Sequence, residues 1–134
     1  MAILIGNKKI KTAVFISGKG SNLKNLIQFS RKKGSPLIIK IIISNNLKSK
    51  GLRFAKIFGI KKRIFKFKTK KLDEKKILKI LKFEKIDLIC LAGFMKILSK
   101  SFIKNFKGKI LNIHPSLLPN YKGLNTHKRV LLNK

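Results

Sequence analysis

Asn112, His114 and Ser116 fall within the run Asn112-Ile113-His114-Pro115-Ser116-Leu117-Leu118-Pro119, directly after the short apolar stretch Lys109-Ile110-Leu111. A carboxamide can donate to a developing oxyanion, and an imidazole holds or moves a proton near neutral pH. Pro115 and Pro119 fix φ at two points and limit how far the segment relaxes. A strand running into a polar, proline-stiffened turn is where open α/β sheets usually keep their chemistry. A lone His more often just satisfies nearby backbone groups. The flanking Asn112, Pro115 and Ser116 at a strand exit shift the reading toward function.

A second chemistry-bearing segment is Ser17-Gly18-Lys19-Gly20-Ser21-Asn22, again just after an apolar run. Two glycines there let backbone N–H groups approach a phosphate at the start of a helix. The segment lacks the third Gly of the dinucleotide fingerprint and the Gly-Lys-Ser/Thr of a Walker loop. Spacing alone leaves phosphate binding and plain turn geometry both open. Phe94 and Met95 read equally well as core filler or as the wall of a site. His127 lies in a polar stretch where a surface role is the default. The four acids, Asp73, Glu74, Glu84 and Asp87, all occupy positions that structure alone explains. Two His and one Cys without ligand spacing predict no metal site.

The elements that must position these segments alternate. Residues 11–16 read as a first strand, and Leu23, Leu26 and Ile27 at helical spacing predict a helix over 21–31. Gly34 and Pro36 stop it. The Ile-rich run 37–43 has the pattern of a central parallel strand buried on both faces. Leu52, Ala55 and Phe58 suggest a short helix closed by Gly59. Residues 60–67 form a weak, lysine-rich strand expected near a sheet edge. Asp73 and Glu74 should start the next helix, at the end that favours acids, with Ile77, Leu78, Ile80 and Leu81 as its buried stripe. Residues 87–91 are another buried strand with exit loop 92–95. Ser99 should cap a helix carrying Phe102, Ile103 and Phe106, ended by Gly108, before a last strand over 110–113. Strand–helix alternation implies an α/β, Rossmann-like open parallel sheet with helices on both faces and right-handed crossovers. The domain is expected over 11–134, with 1–10 as an N-terminal extension.

At 134 residues and 44% apolar content the chain is one domain with enough apolar mass for a core. No apolar run has transmembrane length, and the lysines follow the apolar start rather than precede it, the wrong order for a secretory signal. Cys90 in the run Leu88-Ile89-Cys90-Leu91 reads as a buried thiol in a reduced, cytoplasmic compartment. The net charge of +30 arises from 34 basic and 4 acidic residues. Lysines spread along the whole chain predict nonspecific polyanion binding and self-repulsion rather than one nucleic-acid face. An AT-rich genome would favour Lys, Ile, Asn and Phe together, and that is the preferred account of the charge.

Three segments together resemble the phosphoribosylglycinamide formyltransferases, folate-dependent enzymes of purine synthesis. They are Ser17-Gly18-Lys19-Gly20-Ser21-Asn22, Leu91-Ala92-Gly93-Phe94-Met95-Lys96-Ile97-Leu98, and Asn112 to Pro119 followed by Tyr121-Lys122-Gly123-Leu124-Asn125-Thr126-His127. They occur in the family's order and cover nearly all the chain from Lys11 onward. Methionyl-tRNA formyltransferases usually lack the glycine loop, and formyltetrahydrofolate hydrolases usually have His where Pro115 stands. The resemblance implies that Gly20, Ser21 and Asn22 hold the phosphate of glycinamide ribonucleotide. It implies that Met95, Lys96, Ile97, Leu98 and Asn112 line the folate site, with Lys70 loosely aligned to a basic residue that touches folate. Asn112 and His114 would act at the formyl group of 10-formyltetrahydrofolate, without a metal.

The family's pattern runs on beyond Lys134, through a second His-Gly-Thr segment and an Asp set against the catalytic His. Such a carboxylate would favour the imidazolium. The resemblance therefore implies the amino-terminal, nucleotide-binding portion of the enzyme, either a truncated or frameshifted product or one that needs a separate C-terminal fragment, with impaired turnover. The alternatives are a non-catalytic remnant and a basic Rossmann-like module that binds nucleotide or RNA.

Overall fold

The structure, a computed structural model, describes residues 8–113. Five parallel strands form one sheet in the order β3-β2-β1-β4-β5. They are β1 (Ile10–Ile16), β2 (Leu37–Ser44), β3 (Lys61–Ile64), β4 (Leu88–Ala92) and β5 (Lys109–Ile113). The helices between them are α1 (Ser21–Ser30), α2 (Arg53–Phe58), α3 (Lys70–Phe83) and α4 (Lys100–Asn105), with a 3-10 turn (Lys50–Leu52) leading into α2.

The two faces of the sheet carry separate cores. Val14, Ile16, Ile42 and Cys90 pack with Leu23 and Ile27 of α1 and Phe54 and Ala55 of α2. Phe15, Ile41, Ile43, Ile89 and Leu91 pack with Ile77 and Leu81 of α3 and Phe102 of α4. Alternate side chains of β1 feed opposite layers, so Ala13 through Ile16 are all buried. Full burial of each such aliphatic or aromatic side chain stabilises by about 1.5–3 kcal/mol. The α/β parallel sheet with helices on both faces expected from the alternation is the fold observed.

Several expectations shift in detail. β1 begins at Ile10, one residue inside the expected extension, because the Ile10 N–H donates to Pro36 O at 2.7 Å. The sheet register slips between Thr12, which faces Ile39, and Ala13, which faces Ile41. Lys40 therefore has no partner on β1, which is how a lysine is tolerated inside an isoleucine run. β3 is indeed an edge, and its Lys61, Lys62 and Arg63 are exposed. It ends at Ile64, short of residue 67, and Phe67 has a φ of 61° that no strand accommodates. α3 starts at Lys70, not at Asp73. The Asp73 carboxylate instead reaches back to accept the Phe67 N–H at 2.8 Å, and Glu74 turns into the core. Ser99 caps α4 as expected, accepting the Phe102 N–H at 3.0 Å. Gly108 does not close that helix, which ends at Asn105. It is small because a Cβ there would lie 2.1 Å from Asp87 O. Asp87 sits just before β4 and ties three strands together. Its N–H donates to Lys11 O, its carbonyl accepts from Lys109 N, and its carboxylate accepts from Lys11 N.

Candidate functional site

Strand order reverses between β1 and β4. From β1 the chain winds outward through β2 to β3, then crosses back to place β4 on the other side of β1. α1 leaves β1 over one face and α4 follows β4 over the other. Loops that part in this way leave a crevice at the carboxyl ends of the two strands, the usual ligand site of such sheets. Residues 17–20 and 93–99 are the loops at those two ends.

The glycine loop is shaped by close packing rather than by slack. Gly20 precedes α1 with φ 80°, and a Cβ on it would lie 2.6 Å from the Cα of Gly51. Gly51 is equally confined, by Ile16 and by Gly20 itself. The carbonyl of Gly18 accepts from Ser49 Oγ at 2.6 Å and from Gly51 N at 2.9 Å. That carbonyl is thus engaged with the loop after β2. Among the described residues no side chain caps α1, and its first turn carries no acid. The opening N–H groups at Ser21 and Asn22 have no intrahelical acceptor and lie at the positive end of the helix dipole, which suits an anion.

The loop after β4 is built differently. Phe94 is pinned edge-on against Phe15 and Phe67, with ring centroids 5.3 and 5.8 Å away. It is core filler, as is the buried Leu98, whereas Met95 is 80% and Ile97 81% exposed. Lys96 between them is exposed too. The loop is clamped at both ends. The Met95 N–H donates to Ser17 Oγ at 2.8 Å. At the far end Ser99 donates from N and from Oγ to Glu74, at 2.8 and 2.6 Å. Glu74 is only 6% exposed. The outcome is a short backbone ribbon with two apolar side chains standing out from it, suited to a flat, partly apolar ligand.

Asn112 lies on β5 opposite Leu91, half-buried. Leu91 belongs to the core beneath α3 and α4, and Ile110, two residues before Asn112, packs on that same core. Asn112 therefore faces that side of the sheet. Two strand spacings, about 10 Å, separate β5 from β1. Lys70 is exposed at the start of α3 and lines a groove of about 410 Å³ with Glu74, Ser99, Ser101 and Asn105. It is thus beside the anchored end of the loop after β4. His114 and the rest of its motif lie outside the described residues.

Some contributors were not singled out from the sequence. The sequence presents Ser17 only as part of the glycine loop and gives no role to Asn45, Ser49 or Gly51. Asn45 and Asn46 form a polar pair directly after a buried strand, which was a usable signal. Glu74 reads from its neighbours as a helix-start acid. Its spacing to Ile77, Leu78 and Leu81 puts it on the buried stripe instead. Cys90 offers no nucleophile here, since burial pushes its thiol up to about 11.

The family model described as formyl transferase matches residues 10–133. The trifunctional purine biosynthetic protein adenosine-3 of Gallus gallus is 45% identical over 130 residues, covering 95% of this chain and 13% of that protein. The phosphoribosylglycinamide formyltransferase of Haemophilus influenzae is 44% identical over 124 residues, covering 90% of this chain and 58% of that one. The crystal structure of phosphoribosylglycinamide formyltransferase from Brucella melitensis superposes with a TM-score of 0.77 at 43% identity. That match covers 92% of this chain and 66% of the other. The chain thus spans less than two thirds of the length of these relatives.

Proposed function

Since the chain belongs to the formyl transferase family, we propose that it takes part in formyl transfer from 10-formyltetrahydrofolate to the amine of glycinamide ribonucleotide in purine synthesis. The observation that supports this reading most is the pairing of two unlike loops at the carboxyl ends of β1 and β4. A capless helix start with confined glycines sits at the end of β1, and an apolar-studded ribbon sits at the end of β4. One suits a sugar phosphate and the other a pterin.

In this reading Gly20, Ser21 and Asn22 hold the ribonucleotide phosphate through the opening N–H groups of α1. Met95, Lys96, Ile97 and Leu98 line the folate, mainly through the backbone, with Lys70 at the edge of that site. Asn112, one strand beyond β4, and His114, two residues later, act at the formyl group. The substrate amine attacks the formyl carbon and a C–N bond forms. Charge develops on the formyl oxygen, and Asn112 with protonated His114 stabilises it. The bond to the folate nitrogen then breaks, and the proton lost by the amine passes to that nitrogen. Loss of one preorganised oxyanion donor typically slows such a step by about 10²–10³. The reduced thiol and the family's metabolic role both fit a cytoplasmic setting.

The test uses the full chain, with calorimetry for ribonucleotide binding at moderate salt and absorbance of the folate product for turnover. Asn22→Ala is expected to weaken ribonucleotide binding, and His114→Ala to remove whatever turnover the chain has. Ribonucleotide binding that vanishes at moderate salt, alongside retained binding of any polyanion, would favour the basic-module reading instead.

A further inference from the structure

We propose that Ser17 is a positioning residue that couples the two ligand sites, so that binding of the nucleotide and binding of the folate reinforce one another. The inference rests on the two-site reading above and adds a link between the sites.

Ser17 is the first residue of the glycine loop, directly after β1, and its hydroxyl is the meeting point of three loops. It accepts the Met95 N–H at 2.8 Å, and it donates its own proton to Asn45 Oδ1 in the loop after β2. The following residue, Gly18, is held through its carbonyl by Ser49 and Gly51 of that same loop after β2. Among the described residues no other side chain bonds to the exits of both β2 and β4. A Ser hydroxyl has one proton to give. With that proton on Asn45, a lone pair is aimed at Met95, so the carboxamide sets the hydroxyl's orientation.

Residues 18–20 are already held against Ser49 and Gly51, so an anion at the start of α1 stabilises this arrangement over any other and, with it, the position of Ser17 at its root. Met95 then finds its acceptor in place, and the exposed Met95–Ile97 ribbon is presented before the folate arrives. Occupancy of the ribbon fixes the same hydroxyl from the other side. Coupling between two binding sites is reciprocal, so each ligand must tighten the other by the same factor. Met95 and Ile97 are exposed and have little packing of their own, so the ribbon between the packed Phe94 and Leu98 depends on its end hydrogen bonds, to Ser17 and to Glu74.

The test is a binding cycle on the full chain, with glycinamide ribonucleotide and tetrahydrofolate. That pair cannot react, because the carrier has no formyl group. In the wild type each ligand should tighten the other by about fivefold or more. Ser17→Ala should bring that factor close to one while each ligand alone still binds, and Ser17→Thr, which restores a hydroxyl, should recover it. Asn45→Ala keeps the Met95 acceptor but frees its rotation and should reduce the factor in part. It serves as the deciding variant if Ser17→Ala fails to fold. Wild-type-like coupling in Ser17→Ala, or in Asn45→Ala where that variant decides, overturns the proposal, as does a wild type that binds both ligands independently. Those results leave the proposed function standing. A wild type that binds neither ligand overturns the function and the coupling together.

Discussion

The loops after β1 and after β4 sit side by side at the same end of the sheet and are constructed on opposite principles. The first is confined where two glycines press together, Gly20 against Gly51, with no room for a Cβ on either. In the proposed function its ligand groups are backbone N–H donors. The second has no such internal packing beyond Phe94 and Leu98. It displays exposed Met95 and Ile97 and is held by hydrogen bonds at its ends. A compact, doubly charged phosphate calls for fixed donors, whereas a broad aromatic face calls for accessible apolar surface. The contrast implies that damage to the first loop acts through shape and damage to the second through its anchors.

The largest effect should come from Gly20→Ala. The new Cβ meets backbone at 2.6 Å and the residue must hold φ 80°, a conformation that costs a non-glycine about 1–3 kcal/mol. Thermal unfolding should show that loss, and ribonucleotide binding should fall far more than folate binding. Glu74→Ala comes next. It deprives the N–H and hydroxyl of the half-buried Ser99 of their acceptor, a loss toward the lower end of the about 1–3 kcal/mol that a fully buried unpaired group costs. Here the binding pattern should invert, with folate weakened and ribonucleotide spared. Equal losses for both ligands would show that the two loops are one unit and not two. The smallest change in stability belongs to Met95→Ala, within about 0.5 kcal/mol for so exposed a side chain. Its signature is a weaker folate complex at unchanged melting temperature, and a large stability loss would mean that Met95 is packed after all.

Much of this molecule can be read from local pattern. Apolar runs bounded by glycines mark the strands, the lysines of β3 announce an edge, and Gly59 closes α2 with φ 66° as its position suggests. Ser99 is recognisable as a cap because its chemistry needs only residues three positions away. The same local reasoning misplaces α3, since Asp73 bonds to Phe67 ahead of the helix and the true start carries two lysines. It also misreads Gly108, whose size is dictated by Asp87, the residue just before a neighbouring strand. For the candidate site, both segments around the crevice are visible as motifs, but the clamps that hold them are not.

By itself, then, the order of residues determined the alternation of strands and helices, the parallel sheet and the identity of the chemistry-bearing segments, because each depends on periodicity or on neighbours within a few positions. The tertiary structure alone decided that Ser17 meets Met95, that Gly20 meets Gly51, that Glu74 faces inward to Ser99 and that Lys40 falls at a slip in register. Those pairings join residues remote in the chain or depend on how one strand seats on the next, and only the winding of the sheet around β1 brings them together.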